Sequence, residues 1–253
     1  MTSLNFKSRV PVFDANVRVG NRQDEVSPFR NRGELLAELD RHGVQRALVY
    51  HAHSEDISPI NGNAYLEDWL GDDERLYPIW SVLPTSDSLQ QIQELHGSGH
   101  VQCVRLANAV PVELPFRPWA YHSLLSWLCE ANIPLWFTLP ETDPDDIVTT
   151  LTAYPDLTTV LTGAHYTHAL WVRPLLQALP NSHLELSRYE PIGEVEALRD
   201  EFGAERLIYG SWYPRYAMGP VLYYLHHAGL SDEELELVCS GNLERILKMD
   251  AND

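Results

Sequence analysis

Two histidines separated by one alanine have the most metal-like spacing in this chain. His51 and His53 stand at the C-terminal end of a predicted strand. Alternate residues of a strand lie on one side, so two such imidazoles can reach one cation. A third ligand is required, and Asp14, Glu55 and Asp56 are of suitable type. The pair predicts either a relocated metal site or histidines that form hydrogen bonds and contact a substrate.

A second pair with the same spacing lies near the N-terminus. Asn16 is the last residue of a predicted strand, and Arg18 follows two residues later. Arginine has no lone pair to donate and stays protonated in proteins, so Arg18 repels a cation and attracts an anion.

Further polar residues stand where other predicted strands end. Arg105 and Arg188 are interpreted either as anion-binding groups or as solvated arginines. Glu185 and Ser187 share one strand face, and an inward Glu185 needs a partner such as an arginine or a histidine. His165 is a candidate general base, because an imidazole can gain and lose a proton near neutral pH, or else a histidine satisfied by a backbone carbonyl.

Eight short apolar runs alternate with amphipathic helical patterns and predict the elements that position these residues. The predicted strands are 10–16, 46–51, 76–81, 101–106, 134–139, 157–162, 182–187 and 206–210. Such alternation implies a parallel sheet, and eight repeats favour closure into one α/β domain, a (β/α)8 barrel of the TIM type over residues 1–253. Active sites of such barrels lie at the C-terminal ends of the strands, where the polar residues above would meet.

The charge balance limits the class of partner. The chain has 36 acidic and 18 basic residues and a formal net charge of −18. This field repels nucleic acid and anionic membranes, and no apolar run approaches the roughly 20 residues that span a bilayer. We expect a small anionic substrate or ligand held by local arginines, and a homodimer is the commonest assembly of soluble proteins.

Targeting, redox and cofactor signals are weak. Residues 1–10 lack the apolar core of a secretory signal, so we expect a cytoplasmic protein. Cys103, Cys129 and Cys239 are odd in number and far apart, which is typical of reduced core thiols. No Gly-x-Gly-x-x-Gly follows the first strand, and no cofactor is expected.

Four segments and the tail that follows them, in order, resemble the amidohydrolase superfamily. Segment 12–20, Val-Phe-Asp-Ala-Asn-Val-Arg-Val-Gly, is similar to its Asp-x-His-x-His opening strand. Segments 133–138 and 160–165 resemble its strand-five and strand-six motifs, which end in histidine. Segment 202–214 resembles the Gly-Ser-Asp-Tyr-Pro region of strand eight, and segment 231–247 resembles the closing helices. The resemblance is to the branch that includes aminocarboxymuconate-semialdehyde decarboxylase.

The resemblance implies a metal site of five residues, and the chain departs from it at four. Asn16 and Arg18 replace the strand-one histidines, Thr138 replaces the strand-five histidine, and Trp212 replaces the strand-eight aspartate. His165 is retained. One histidine cannot supply the roughly three protein ligands of a catalytic zinc, so we predict no metal here.

Three functions are compatible with this pattern. The first is a metal-independent, lactonase-like hydrolase or a lyase acting on a small carboxylate-bearing substrate. In it, His165 or His53 activates water while Arg18 and Asn16 stabilise the oxyanion. The second is an inactive pseudoenzyme or a small-molecule-binding barrel, and the third is a metal-dependent hydrolase with ligands relocated to the histidine pair. The residues expected to contact the substrate are His51, Arg105, Thr138, Glu185, Ser187, Trp212 and Tyr213.

Overall fold

The computed structural model describes residues 6–249 and alternates strands with helices throughout. The strands are β1 (Phe13–Val19), β2 (Arg46–His51), β3 (Leu76–Pro78), β4 (Trp80–Val82), β5 (Val104–Leu106), β6 (Leu135–Thr138), β7 (Thr159–Thr162), β8 (Ser182–Glu185) and β9 (Leu207–Ile208). The helices are α1 (Arg32–His42), α2 (Ala52–Asp56), α3 (Pro59–Leu70), α4 (Ser86–Gly97), α5 (Pro118–Ala131), α6 (Pro144–Leu151), α7 (Ala169–Ala178), α8 (Glu194–Phe202), α9 (Met218–Leu225), α10 (Asp232–Glu236) and α11 (Asn242–Leu247). Within residues 6–249, no helix is both long and apolar enough to cross a bilayer.

The strands form a closed parallel ring. Strands β1 to β3 make one sheet and β4 to β9 another, and every pair within each sheet is parallel. The two sheets join because only Ile79 separates β3 from β4, and its N–H donates to the Val49 carbonyl at 2.8 Å. At the other junction, the Ala15 N–H donates to the Tyr209 carbonyl at 3.2 Å. Strands β3 and β4 together therefore correspond to the single predicted strand 76–81, which is interrupted at Ile79.

Strand β1 carries an irregularity that the sequence pattern did not reveal. It begins later than the predicted 10–16, and its register against β2 shifts between Asp14 and Val17. Before the shift, Phe13 and Ala15 pack in the apolar cluster inside the barrel, whereas Val17 packs in the cluster under the helices. An extra residue in a strand reverses which side chains face inward. The shift therefore turns the next polar residues of β1 toward the barrel interior.

The barrel interior is apolar below and polar above. The inner cluster includes Leu48, Cys103, Trp136, Val160 and Ile208, one from each of several strands, and all are buried. Because strand side chains alternate, the next inward residue on each strand lies one layer nearer the C-terminal end. These upper positions are the ones that hold the charged and hydroxyl side chains.

Helix α11 closes the opposite end of the barrel. Its Leu243, Ile246 and Leu247 belong to the inner apolar cluster. The helix is fixed by Asn242, a fully buried residue whose amide donates to the carbonyls of Ala204 and Leu207, both at 2.8 Å. One side chain therefore ties the last helix to the start of β9.

Replacing Asn242 with alanine is expected to lower the free energy of unfolding by about 2 to 5 kcal/mol, because two buried carbonyls lose their donor. Urea denaturation measures this change. Asn181→Ala is the matched control, since Asn181 makes one exposed hydrogen bond to the Pro155 carbonyl and should cost less than about 1 kcal/mol. Equal losses in the two variants would contradict the anchoring role of Asn242.

Candidate active site at the carboxyl ends of the strands

Five of the residues singled out in the sequence meet in one buried hydrogen-bonded chain, here called the central cluster. Its members are Asn16, Arg105, Thr138, Glu185 and Ser187. The Ser187 hydroxyl donates to Glu185 Oε2 at 2.9 Å, and the Asn16 amide donates to the same oxygen at 3.2 Å. Arg105 donates to Asn16 Oδ1 at 3.4 Å and to Thr138 Oγ1 at 2.9 Å. The cluster thus links β1, β5, β6 and the C-terminal end of β8 across the barrel.

Arg105 is the cation at the centre of this cluster. Its side chain is 3% exposed, and its guanidinium carbon lies 4.4 Å from the centre of the Tyr50 ring. The nearest carboxylate is that of Glu55, with the two charged atoms 3.8 Å apart. A buried guanidinium needs such compensation, because an unpaired charge in a poorly polarisable interior is costly.

Glu185 is the buried anion of the cluster. Burial raises the pKa of its carboxyl, while hydrogen bonds from Ser187 and Asn16 and the charge of Arg105 partly oppose that rise. Gly210 makes room for this carboxyl, because a Cβ atom at position 210 would lie 2.1 Å from Glu185 Oε1. The expected arginine or histidine is not a direct partner of Glu185: its hydrogen bonds come from Ser187 and Asn16, and Arg105 acts on it through its charge alone.

Asp14 is a second buried carboxyl, just below the cluster. Burial raises its pKa to about 7, against the opposing effect of hydrogen bonds from Ser211 and Asn16, and Glu185 adds to the rise. Its Oδ1 accepts from the Ser211 and Asn16 backbone N–H groups at 2.9 and 3.0 Å. Its Oδ2 is buried and has no hydrogen-bond partner among the described residues, as suits a protonated carboxyl.

Arg18 is buried beside the cluster but is neutralised by acidic residues. Its side chain is 1% exposed, and it donates to Glu25 Oε2 at 2.7 Å. A second carboxylate, Glu55, lies 3.9 Å from its guanidinium. Arg18 therefore supplies less free positive charge than its sequence position suggested.

His51 and His53 lie at the rim rather than around a common point. Their ring centres are 6.5 Å apart and both rings pack against Tyr65, at 5.6 and 4.9 Å. His51 Nδ1 accepts the His53 backbone N–H at 3.2 Å, which uses one ring nitrogen for the start of α2. Burial, with the charge of His53, lowers the pKa of His51. The side chain of Asp56 lies outside the described part of the chain.

His165 also lies at the rim, after β7. Its ring contacts Tyr166, with the centres 3.9 Å apart, and its Nδ1 lies 3.3 Å from the Thr167 hydroxyl. No hydrogen bond, ion pair or ring contact joins it to the central cluster within residues 6–249. The structure thus does not bring His165 together with Arg18 or Asn16.

Trp212 occupies the mouth of the barrel. Its indole N–H donates to the Tyr50 hydroxyl at 3.0 Å, and its side chain is almost fully buried. A Cβ atom at Gly163 would lie 2.7 Å from the indole ring, so that glycine is required for the ring to fit. The backbone of Trp212 has a φ of 53°, a conformation that is strained for a bulky residue.

Tyr213 points the other way. Its ring stacks on Phe29, with the centres 5.7 Å apart and the planes at 16°. Burial and the nearby charge of Glu38 raise the pKa of its hydroxyl to about 12. The adjacent side chains of Trp212 and Tyr213 therefore point in different directions, and of the two only Trp212 covers the strand ends.

A cavity of about 330 Å³ opens beside the cluster, at the ends of β5 and β6. Its walls are largely apolar, and Thr138 of the central cluster lines it together with Glu141. Burial raises the pKa of Glu141, although the charges of Arg105 and Arg215 oppose the rise. No motif singled out Glu141; its place in a short 3-10 helix directly after β6 was the available signal.

The residues at the family's metal positions do not fit a divalent cation. Asn16 and Thr138 both accept hydrogen bonds from Arg105, and Trp212 presents an indole. Arg18 and Arg105 already bring two positive charges to the same end of the barrel. Among the residues that the structure describes, no group of three or more His, Cys, Asp or Glu side chains could hold a metal.

The buried carboxyl of Asp14 should make the free energy of unfolding depend on pH between about 4 and 7. Its folded pKa of about 7 lies above the ordinary 3.8, so the folded state holds a proton that the unfolded state loses from about pH 4 upward. Stability should therefore fall by on the order of 4 kcal/mol as pH rises from about 4 to 7. Urea denaturation across this window should show a much shallower slope in Asp14→Asn, with the slope due to Glu185 remaining. An unchanged slope, equal to that of the exposed control Asp68→Asn, would contradict this.

The strained backbone at Trp212 predicts an inverted order of stability. Trp212→Gly should be more stable than Trp212→Ala by about 1 kcal/mol, because only glycine adopts a positive φ without steric cost. At Trp136, which is buried in β6, the same pair of variants should show the ordinary order, with alanine the more stable. Thermal unfolding of the four variants measures both differences. The ordinary order at both positions would contradict the strain assigned to Trp212.

Solved structures of low sequence identity share the fold. An uncharacterised TIM-barrel protein of Bordetella bronchiseptica matches with a TM-score of 0.74 and 18% identity, over 94% of this chain and 99% of that one. The 5-carboxyvanillate decarboxylase LigW of Sphingomonas paucimobilis matches with a TM-score of 0.70 and 14% identity, over 94% and 99%. A putative 2-pyrone-4,6-dicarboxylic acid hydrolase of Pseudomonas putida matches with a TM-score of 0.69 and 17% identity, over 95% and 98%. The predicted TIM-barrel fold is confirmed.

The family comparison is more direct. No curated protein matches the chain. The amidohydrolase family model Amidohydro_2 matches residues 20–249, which is most of the sequence. With the strand-end site described above, this match confirms the resemblance read from the motifs: the chain belongs to the Amidohydro_2 amidohydrolase family.

Proposed function

We propose that this chain is a hydrolase or lyase that acts on a small carboxylate substrate without a metal ion at the family's metal position. The observation that carries the proposal is the placement of Glu141. This carboxyl lines the cavity beside Thr138, and its pKa responds to the buried guanidinium of Arg105. A proton-transfer group and a fixed positive charge thus lie at the C-terminal ends of the strands, where the active sites of such barrels are found.

The carboxylate class is supported by what the structural relatives are named for. LigW acts on 5-carboxyvanillate, and the Pseudomonas putida relative is named for 2-pyrone-4,6-dicarboxylic acid. The first reaction is a decarboxylation and the second is a hydrolysis, so enzymes named for either reaction class share this fold. Both substrates are small, planar and anionic, a size that suits a cavity of about 330 Å³.

Glu141 is the proposed proton-transfer group. A raised pKa brings a carboxyl closer to the pH at which it can both accept and give a proton. In a hydrolysis it would take a proton from water, and in a decarboxylation it would give one to the carbon that loses the carboxylate. This assigns to Glu141 the role that the sequence suggested for His165 or His53.

Arg105 is the proposed electrostatic group. Its guanidinium is fixed by Asn16, Thr138 and the Tyr50 ring, so it needs no reorganisation when negative charge develops nearby. It replaces Arg18 in the proposed scheme, because Arg18 is paired with Glu25 and approached by Glu55.

A second candidate function, a non-catalytic ligand-binding barrel, is favoured by Trp212. The indole fills the mouth of the barrel and bonds to Tyr50, so the barrel axis itself is covered. In that case the cavity beside Thr138 would bind a ligand without changing it. Turnover distinguishes the two functions.

Turnover is tested with purified protein whose metal content has been measured after treatment with a chelator. The panel is 5-carboxyvanillate, 2,6-dihydroxybenzoate and 2-pyrone-4,6-dicarboxylate, followed by carbon dioxide release and by loss of pyrone absorbance. We expect turnover of at least one compound, and a fall in kcat of about 100-fold or more in Glu141→Gln with little change in KM. Glu130→Gln, an exposed change on α5, is the control that should retain activity.

Three outcomes would contradict parts of the proposal. Binding without turnover by any panel compound would favour the non-catalytic barrel. Loss of activity in His165→Gln but not in Glu141→Gln would return proton transfer to His165. Activity that appears only with stoichiometric zinc or manganese would overturn metal independence.

A further inference from the structure

Two arginines at the mouth of the barrel have no acidic partner. Within residues 6–249, Arg188 and Arg215 make no ion pair and no hydrogen bond through their side chains, whereas Arg18 and Arg105 each lie within 4 Å of a carboxylate. Glu141 attracts Arg215 from beyond ion-pair distance. In a chain with a net charge of −18, these two guanidiniums are unneutralised positive charge at the strand ends.

Aromatic rings hold both guanidiniums in place. Arg188 lies 5.0 Å from the centre of the Tyr216 ring, and Arg215 lies 4.9 Å from that of Trp212. The two rings are 6.1 Å apart, so the four residues form one continuous arrangement, here called the arginine stack. Trp212 fixes the stack to the barrel through its hydrogen bond to Tyr50.

Stacking leaves the hydrogen-bonding edges of a guanidinium available. An aromatic ring contacts the flat face of the group, while the N–H donors point outward in the plane. Those in-plane donors match the two oxygens of a carboxylate. Two guanidiniums ordered in this way lose less conformational entropy on binding than two solvated arginines would.

A buried donor in the stack lacks an acceptor. Arg188 Nε is inaccessible to solvent and has no hydrogen-bond partner among the described residues. An unsatisfied buried donor next to a positive charge destabilises the protein unless an acceptor arrives. A ligand carboxylate bonded to the exposed N–H groups of the same guanidinium would offset part of that cost.

We infer that Arg188 and Arg215 bind the carboxylate of the small organic acid on which this protein acts. The inference rests on the proposed function for the class of ligand, and it assigns the anion-binding role to residues other than Arg18 and Arg105. Burial lowers the pKa of the neighbouring His168, and the charges of His165 and Arg188 add to that effect.

Binding is tested by isothermal titration calorimetry with benzoate, its neutral analogue benzamide, and inorganic phosphate. The wild-type protein should bind benzoate and should bind benzamide at least about tenfold more weakly. Arg188→Met and Arg215→Met should each weaken benzoate binding by about 10- to 100-fold and leave benzamide unchanged. Arg215→Lys should recover only part of the loss, because a lysine keeps the charge but not the planar pair of donors.

Arg9→Met is the matched control, since it removes one positive charge from an exposed pair before β1. It should leave benzoate binding unchanged. An equal loss in the control, tighter binding of phosphate than of benzoate, or no benzoate binding by the wild type would overturn the inference. Thermal unfolding of each variant confirms that the protein remains folded.

The two proposals fail in different ways. If benzoate binding depends on the arginine stack but no panel compound turns over, the binding site stands and the proposed function does not. If a panel compound turns over with a KM that is unchanged in Arg188→Met and Arg215→Met, the function stands and the anion site is wrong.

Discussion

The burial of the Arg105 guanidinium is the constraint on which the upper half of the barrel depends. A full charge in the interior must be met by acceptors and counter-charges from several directions at once. Asn16, Thr138 and the Tyr50 ring contact it directly, and Glu55 approaches it. Those partners come from strands β1, β2 and β6 and from helix α2, so the position of one cation fixes the relative positions of much of the barrel mouth.

The same cation accounts for two of the residue types at the positions where the resemblance to the family implies metal ligands. Asn16 and Thr138 both accept hydrogen bonds from the Arg105 guanidinium. An arginine donates hydrogen bonds and accepts none, so neutral oxygen acceptors suit its surroundings.

The sequence predicted the fold and the end of the barrel that holds the site, because strand alternation and family motifs are local patterns. It also predicted that an inward Glu185 would need a partner such as an arginine or a histidine, whereas its hydrogen-bond partners are Ser187 and Asn16, with the charge of Arg105 nearby. It could not predict the bulge in β1, which depends on pairing with β2, or the pairing of Arg18 with Glu25. Glu141 and Arg215 were missed because loop residues acquire their surroundings only when the barrel closes.

Helix α11 has a consequence for the order in which the molecule can assemble. Its three apolar side chains complete the inner cluster, yet it follows all nine strands along the chain. During synthesis the interior of the barrel therefore stays open to water until the last of these elements has left the ribosome. The contacts that complete the core join distant parts of the sequence, and proteins dominated by such contacts fold slowly and expose apolar surface while they do so.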